Sequence, residues 1–349
     1  MRSSLSAVIL AGALGTLLAP PPVVGQGCTS GTWTAISPIN TARSRTGVAY
    51  DEVTGHFFLA GGEAAGGNRA IPIEEYDPVA NTWTNRANLL TGVSNSGVAA
   101  VGGYVYVPGG FDGAAAVAAL QRYDPATNTV ANQTAMPAGN YAHAVTARGT
   151  FIHVLGGSST GAAGTTHYVY DTVAGTWATA AALPLAVQYP AAASDGTLVY
   201  VLGGNTTDLT DVQVYDPGTN TWSAGTSMTV GRGGPGAFFD GTFLWAVGGG
   251  WVSYLTSTEY HSGGVWTGGG PLLNAGGRTI GVAYGAGLAV KAGGWSGAYM
   301  DAAESITCEV IVPPTPSVLE IPTLSPVGLG GLSLLLAGGA IALLRRRRR

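Results

Sequence analysis

Paired glycines recur along the chain at Gly61-Gly62, Gly109-Gly110, Gly156-Gly157, Gly203-Gly204, Gly248-Gly249 and Gly293-Gly294, at intervals of 48, 47, 47, 45 and 45 residues. A period of that length, kept six times, restricts the chain to an architecture made of six copies of one supersecondary unit stacked on its neighbours. Each pair closes a β-branched or aromatic run, as in Tyr104 to Val107, Phe151 to Leu155, Leu198 to Leu202 and Phe243 to Val247. Such runs read as strands, and glycine after them permits sharp backbone and close approach of another chain segment. A second signature follows 12 to 15 residues after the first glycine: Tyr76-Asp77-Pro78 with Trp83, Tyr123-Asp124-Pro125 with Val130, Tyr170-Asp171 with Trp177, Tyr215-Asp216-Pro217 with Trp222, and Tyr260 with Trp266. Two strands flank a turn in which Asp caps, Pro presets φ and Asn accepts a left-handed conformation. Each unit therefore holds four short strands, and the chain is all-β.

Composition agrees with many tight turns. Glycine supplies 56 of 349 residues without a Gly-x-y period, and only 10% of residues are charged, against about 25% in an average domain. The formal charge of -4 hides an acidic middle, because six of the 15 basic residues are Arg2 and Arg345 to Arg349. Nine basic residues against 19 acidic ones remain between them, which argues against nucleic acid as partner, since phosphate contact needs a basic footprint.

Double glycine, then Tyr-Asp, then Trp at this spacing resembles the kelch repeat, and the resemblance runs from Trp33 to Cys308. It implies a six-bladed kelch-type β-propeller over residues 26–308, with Val130 in place of Trp, His261 in place of Asp and Ser305-Ile306-Thr307 in the last unit as departures. The chain opens on an isolated strand at Trp33 and ends after the third strand of the sixth unit, so the N-terminal strand is expected to complete the last blade. Cys28 stands five residues before Trp33 as Pro78 stands before Trp83, and Cys308 stands two after Ile306 as Pro78 stands after Tyr76. Both cysteines map to one turn position, and a disulfide across the closure is expected for an exported protein.

The two ends read as targeting segments. Met1-Arg2-Ser3-Ser4 and the apolar run Leu5 to Ala19 form a signal peptide over residues 1–25. Residues 309–320 form a Pro-rich spacer, and 327–344 a transmembrane helix followed by five arginines, positive side inside. With Ile321, Pro322, Thr323 and Leu324 before it, the segment 321–349 resembles the IPTL-CTERM bacterial sorting signals. Membership implies an exosortase-like processing enzyme as a partner and delivery to the cell surface or exterior, with anchoring in the membrane before any cleavage.

The repeat register places Arg45, Asn95, Tyr141, Gln188 and Arg278 at the start of the innermost strands, with Gly233 in the fifth unit and Arg232 beside it. The loops after the glycine pairs carry Phe111, Asp112, Trp251 and Trp295 to the same face. Arginine offers a bidentate fork for carboxylate and the aromatics offer flat surfaces, so this mouth is expected to bind an acidic glycan or a protein ligand. Other kelch propellers use this rim for ligands. Lys291, the one lysine, breaks a series of apolar residues; the sequence reading has it snorkelling from the closing blade. His56, His143, His153, His167 and His261 lack metal-ligand spacing, no catalytic motif appears, and neither metal nor cofactor is expected. The expected function is a surface-displayed or released binding or adhesion module. Its alternatives are a carbohydrate-active enzyme, as in the sialic-acid epimerases among exported kelch propellers, and a structural spacer or matrix component.

Overall fold

The computed structural model describes residues 26–310 apart from Ser30 and Thr279. They fall in one compact unit of six four-stranded antiparallel sheets. Blade 1 runs outward through Gly47–Asp51, His56–Ala60, Pro72–Asp77 and Thr82–Asn88, and blades 2 to 5 repeat it over 99–133, 141–179, 191–224 and 236–268. The first strands of successive blades neighbour one another in cyclic order, so they wall an axial channel. Second strands are buried on both faces, as in His56–Ala60, which is why they read as unbroken apolar runs. The core lies between blades: Val48, Phe57, Tyr76 and Trp83 of blade 1 pack with Ala283 and Val290 of blade 6.

Blade 6 takes three strands from the C-terminal side, Gly281–Gly285, Leu288–Ala292 and Ala303–Thr307, and its outermost strand, Thr34–Ile36, from the N-terminal side. The N-terminal strand thus closes the ring as the repeat order requires. Cys28 and Cys308 form the expected disulfide, 280 residues apart in sequence, a crosslink that contributes about 5 kcal/mol in the chain-entropy model. Beyond it Gln26–Gly27 pair with Glu309–Val310, so the first two residues assigned to the spacer belong to the closure ladder. The Cys28 amide also donates to the buried Asp240 carboxylate of blade 5 at 2.9 Å. The signal peptide, the rest of the spacer and the sorting segment with its expected span lie outside the described residues. Among the described residues no helix is long and apolar enough to cross a membrane.

Glycine sets how closely the blades meet at the axis. A Cβ on Gly47 would stand 2.7 Å from Val98 of blade 2, and one on Gly236 would stand 2.1 Å from Val282 of blade 6. Farther out, the Tyr-Asp-Pro turns of blades 1, 2 and 4 staple each of these blades to the one before it. Asn81 Oδ1 accepts the Tyr76 hydroxyl of its own blade and the Ser37 amide that follows the outer strand of blade 6, both at 3.0 Å. Asn128 and Asn220 repeat the arrangement with Ala87 and Ala181. The indole N–H groups of Trp83, Trp177, Trp222 and Trp266 donate at 2.8 Å to carbonyls of the preceding linker. Val130 leaves blade 2 without that bond.

A third device sits two residues before the place of the recurring tyrosine, which the strand register gives to His261 in blade 5, in place of the Tyr rather than of the Asp as the sequence suggested, and to Ile306 in blade 6. Glu74, Gln121, Gln213, Glu259 and Glu304 each accept one or two backbone N–H groups of the incoming linker, for example Thr91 on Gln121 at 2.9 Å and Leu273 on Glu304 at 2.7 Å. A buried carboxylate needs a counter-charge, and each glutamate has one. Arg43 pairs with Glu74, Arg232 with Glu259 at 3.0 Å, and Lys291 with Glu304 at 3.6 Å. The two glutamine blades carry Val93 and Val187 where Arg43 and Arg232 stand. In blade 6 that place holds Gly276, and Lys291 reaches into it from the second strand, its Nζ 3.7 Å from where a Gly276 Cβ would lie. Lys291 is fully buried, so it does not snorkel: burial pushes its ammonium below the ordinary range while Glu304 opposes that shift.

Lys291→Val or Glu304→Gln alone leaves a buried charge uncompensated and is expected to cost about 3–5 kcal/mol. The double substitution recreates the Val107 and Gln121 cross-strand pair of blade 2 and is expected to recover most of that loss. Urea unfolding of the four proteins measures the coupling, and additive losses would contradict it.

Candidate functional site

On one face of the ring, the chain enters each first strand through a residue in the left-handed region: Arg45, Asn95, Ala142, Tyr189, Gly234 and Arg278, with φ between 53° and 61°. Their amides donate from blade to blade, Asn95 to Arg45 O, Ala142 to Asn95 O, Tyr189 to Ala142 O, Gly234 to Tyr189 O and Arg45 to Arg278 O, at 2.7 to 3.2 Å. The result is a backbone collar around the channel mouth. The sequence register put Tyr141, Gln188 and Gly233 at this position in blades 3 to 5. The collar residue there is one later, because Ala142 and Tyr189 take a conformation that few side chains favour. Nothing in their residue types marks it.

A second tier consists of the residues after the glycine pairs. Glu63, Phe111, Asn205, Gly250 and Trp295 donate their amides to Ser44, Ser94, Gln188, Gly233 and Gly277 of the linkers. Collar and tier together place a run of side chains around the mouth. Tyr189 packs on Trp251 with centroids 4.6 Å apart. The Arg278 guanidinium lies 5.6 Å from the Trp251 ring and 4.8 Å from the Trp295 ring. Trp295 meets Tyr299 edge-on at 4.9 Å, and the Tyr299 hydroxyl donates to Glu63 at 2.7 Å. Glu63 also takes Arg45 at 2.8 Å and Arg69. Arg69 stands over Phe111 at 5.4 Å, and Phe111 packs on Tyr141.

Of the expected residues, the structure thus brings Arg45, Arg278, Phe111, Tyr141, Trp251 and Trp295 to the mouth. Asn95 is buried in the collar, its Nδ2 donating to Ser94 Oγ at 3.3 Å. Gln188 ties down a blade 3 loop by donating to Gly161 O at 2.6 Å. Asp112 accepts the Ala115 and Ala114 amides, which hold its carboxyl below the usual range. Arg232 is a correction: it is fully buried inside blade 5 on Glu259, Gly248 O and Ser257 O, away from the mouth.

Charge at the mouth also differs from the expected cluster of open arginines. Glu63, which the sequence reading missed, pairs with both Arg45 and Arg69, so the group of three keeps one net positive charge. It follows Gly62 as Phe111 follows Gly110 and Trp295 follows Gly294, so the repeat position was the signal that would have found it. Arg278 has no carboxylate partner among the described residues, and its Nε is buried without a hydrogen bond. Trp251 is held in place by Asp208, which accepts the amides of Trp251 at 2.7 Å, Val252 at 3.0 Å and Gly233 at 2.8 Å. Inside the mouth the channel wall is mostly Gly, Ala and Val, with His143 among them. His143 Nε2 donates to Pro108 O at 3.0 Å, and burial pushes its basicity down to about 4, so the wall is uncharged at neutral pH. The site is therefore an aromatic-flanked cation above an apolar channel.

A family model described as Kelch motif matches residues 92–137 and 188–229, which are blades 2 and 4 with their incoming linkers. No curated protein matches the sequence. Among solved structures, that of YjhT is similar with a TM-score of 0.67 and 16% identity over 79% of this chain and 100% of that one. At that identity the likeness is one of fold.

Burial holds His143, His153 and His167 neutral, at about 4, about 3 and about 4, against about 6.5 in an unfolded chain. Between pH 6.5 and 4 the unfolded chain takes up three protons that the native one refuses, so stability falls with acid at up to about 4 kcal/mol per pH unit. His143→Gln should remove about a third of that slope in urea midpoints from pH 7 to 5, and an unchanged slope would contradict the assignment.

Proposed function

We propose that this kelch-repeat β-propeller is an exported ligand-binding module that holds a carboxylated sugar unit of an acidic glycan at its channel mouth. The observation that carries the reading is Arg278. Its guanidinium is flanked by Trp251 and Trp295, is countered by no carboxylate among the described residues, and sits on a collar fixed by backbone hydrogen bonds. Guanidinium supplies two parallel donors to a carboxylate, and the indoles on either side supply the apolar faces on which the C–H face of a sugar ring packs. Preorganisation supports the assignment, because side chains already locked in place lose little freedom on binding.

Export rests on residues 1–25 and on the Ile321 to Leu324 motif with the apolar stretch and arginines after it, and the disulfide at the ring closure agrees with an oxidising destination. Display at the surface, or release after processing by an exosortase-like enzyme, puts the mouth where acidic polysaccharides are met.

Ligand-dependent melting tests the reading, since binding to the native state raises Tm. Oligogalacturonate should raise it and an uncharged oligosaccharide of equal length should not. Arg278→Ala should weaken binding about 10- to 100-fold, in line with a charged hydrogen bond of about 1.5–3 kcal/mol, whereas Arg45→Ala, whose cation is already held by Glu63, should change it little. An equal shift with the uncharged sugar, or full binding by Arg278→Ala, would overturn the proposal.

A further inference from the structure

The six blades serve as comparisons for one another, and blade 3 departs from the rest where it faces blade 4. Across the first two strands His153 occupies the place of Phe58, Tyr106, Tyr200, Trp245 and Val290. On the third strand His167 stands where blades 2, 4 and 6 have Leu120, Val212 and Ala303. Apart from Thr258 at the His167 place in blade 5, the repeat builds this interface from aromatic and aliphatic side chains, so two imidazoles are not required for folding. They are bonded to each other, His153 Nδ1 to His167 Nε2 at 3.0 Å, and His167 Nδ1 lies 3.1 Å from Ala181 O. A carbonyl only accepts, so His167 Nδ1 carries the proton, its Nε2 accepts from His153 Nδ1–H, and His153 Nε2 is left with a lone pair.

Beside the pair lies a cavity of about 340 Å³ between blades 3 and 4, lined by His153, Arg148, Phe151, Val169, Tyr215 and Pro217 among others. Arg148 donates from Nε to Thr197 O at 3.0 Å and forms no ion pair among the described residues. Phe151 is 39% exposed at the opening. From blade 4, the Tyr215 ring meets His167 edge-on at 4.5 Å while its hydroxyl donates to Asn220 at 2.8 Å, and Trp222 is edge-on to His167. Asp216 at the same turn lies within the field of Arg148. The cavity thus offers one cation without an ion pair among the described residues, one imidazole acceptor and an apolar wall.

We propose that this cavity binds a small carboxylate with an apolar body, its carboxylate between Arg148 and His153 and its body against Phe151 and Pro217, with one proton taken up at His153 Nε2 on binding. Protonation is what makes His153 a donor to the ligand oxygen, and the proton comes from solvent. Burial, then His167 and the charge of Arg148, keep His153 neutral; the arriving carboxylate offsets the Arg148 contribution and attracts the proton. The site is independent of the channel mouth.

Titration calorimetry of the full chain with benzoate tests this, with benzyl alcohol as the uncharged counterpart. Benzoate affinity is expected to rise by close to tenfold per pH unit from pH 7.5 to 5.5, and heats in buffers of different ionisation enthalpy to show uptake of one proton. His153→Phe with His167→Ile, which installs the residues that blade 1 has at these two places, Phe58 on its second strand and the buried Ile73 on its third, should fold and lose binding. Arg148→Met, at the surface of the cavity, should weaken it at least tenfold. Benzyl alcohol binding as tightly as benzoate, a pH-independent affinity, undiminished binding by Arg148→Met, or no benzoate heat at millimolar concentrations would each overturn the proposal.

Discussion

The ring depends on satisfying the backbone of the linker that crosses from one blade to the next. Each linker brings amide groups into the space between sheets, where an unbonded N–H costs about 1–3 kcal/mol. A carboxylate or carboxamide two residues before the place of the recurring tyrosine receives those amides in blades 1, 2, 4, 5 and 6. Where the acceptor is glutamine, the neighbours are valines; where it is glutamate, a buried cation stands beside it. Two solutions to one electrostatic problem therefore coexist in a single chain. The same rule explains Arg43, Arg232 and Lys291, three buried cations that on composition alone look like functional groups.

The mouth follows from this arrangement. Linkers anchored at one end must turn sharply into the first strands, and the left-handed collar residues make that turn while exchanging hydrogen bonds around the axis. Loops after the glycine pairs bond back onto the linkers, so side chains of the second tier are carried to the collar by backbone contacts. Function is then a matter of which side chains occupy these repeat positions. Glu63 ties two arginines into one network, while Arg278 stands against the indoles of Trp251 and Trp295.

Much of this was legible in the sequence. The glycine period, the Tyr-Asp-Pro turns and the cysteine positions pointed to six blades and the closure, because those residues report backbone geometry that few others adopt. The charge balance at the mouth was legible only in part: repeat position marks Glu63 as a mouth residue but not which arginines it meets. Arg45 and Arg278 occupy equivalent places, and only the position of Glu63 in space separates a paired guanidinium from an unpaired one. Arg232 was misplaced for a related reason: its partner Glu259 lies 27 residues away, and nothing local distinguishes a buried cation from an exposed one. The shift of register in blades 3 to 5 arose because Ala142 and Tyr189 are held left-handed by the collar rather than by their own preference.

The most direct test of the central claim, that Arg278 is the open cation of a preorganised mouth, is a crystal structure with bound digalacturonate. The account predicts one sugar carboxylate in bidentate contact with Arg278, the ring packed against Trp251 or Trp295, and Glu63 still on Arg45 and Arg69. A carboxylate bound to Arg45 with Glu63 displaced, or density elsewhere on the propeller and none at the mouth, would contradict it.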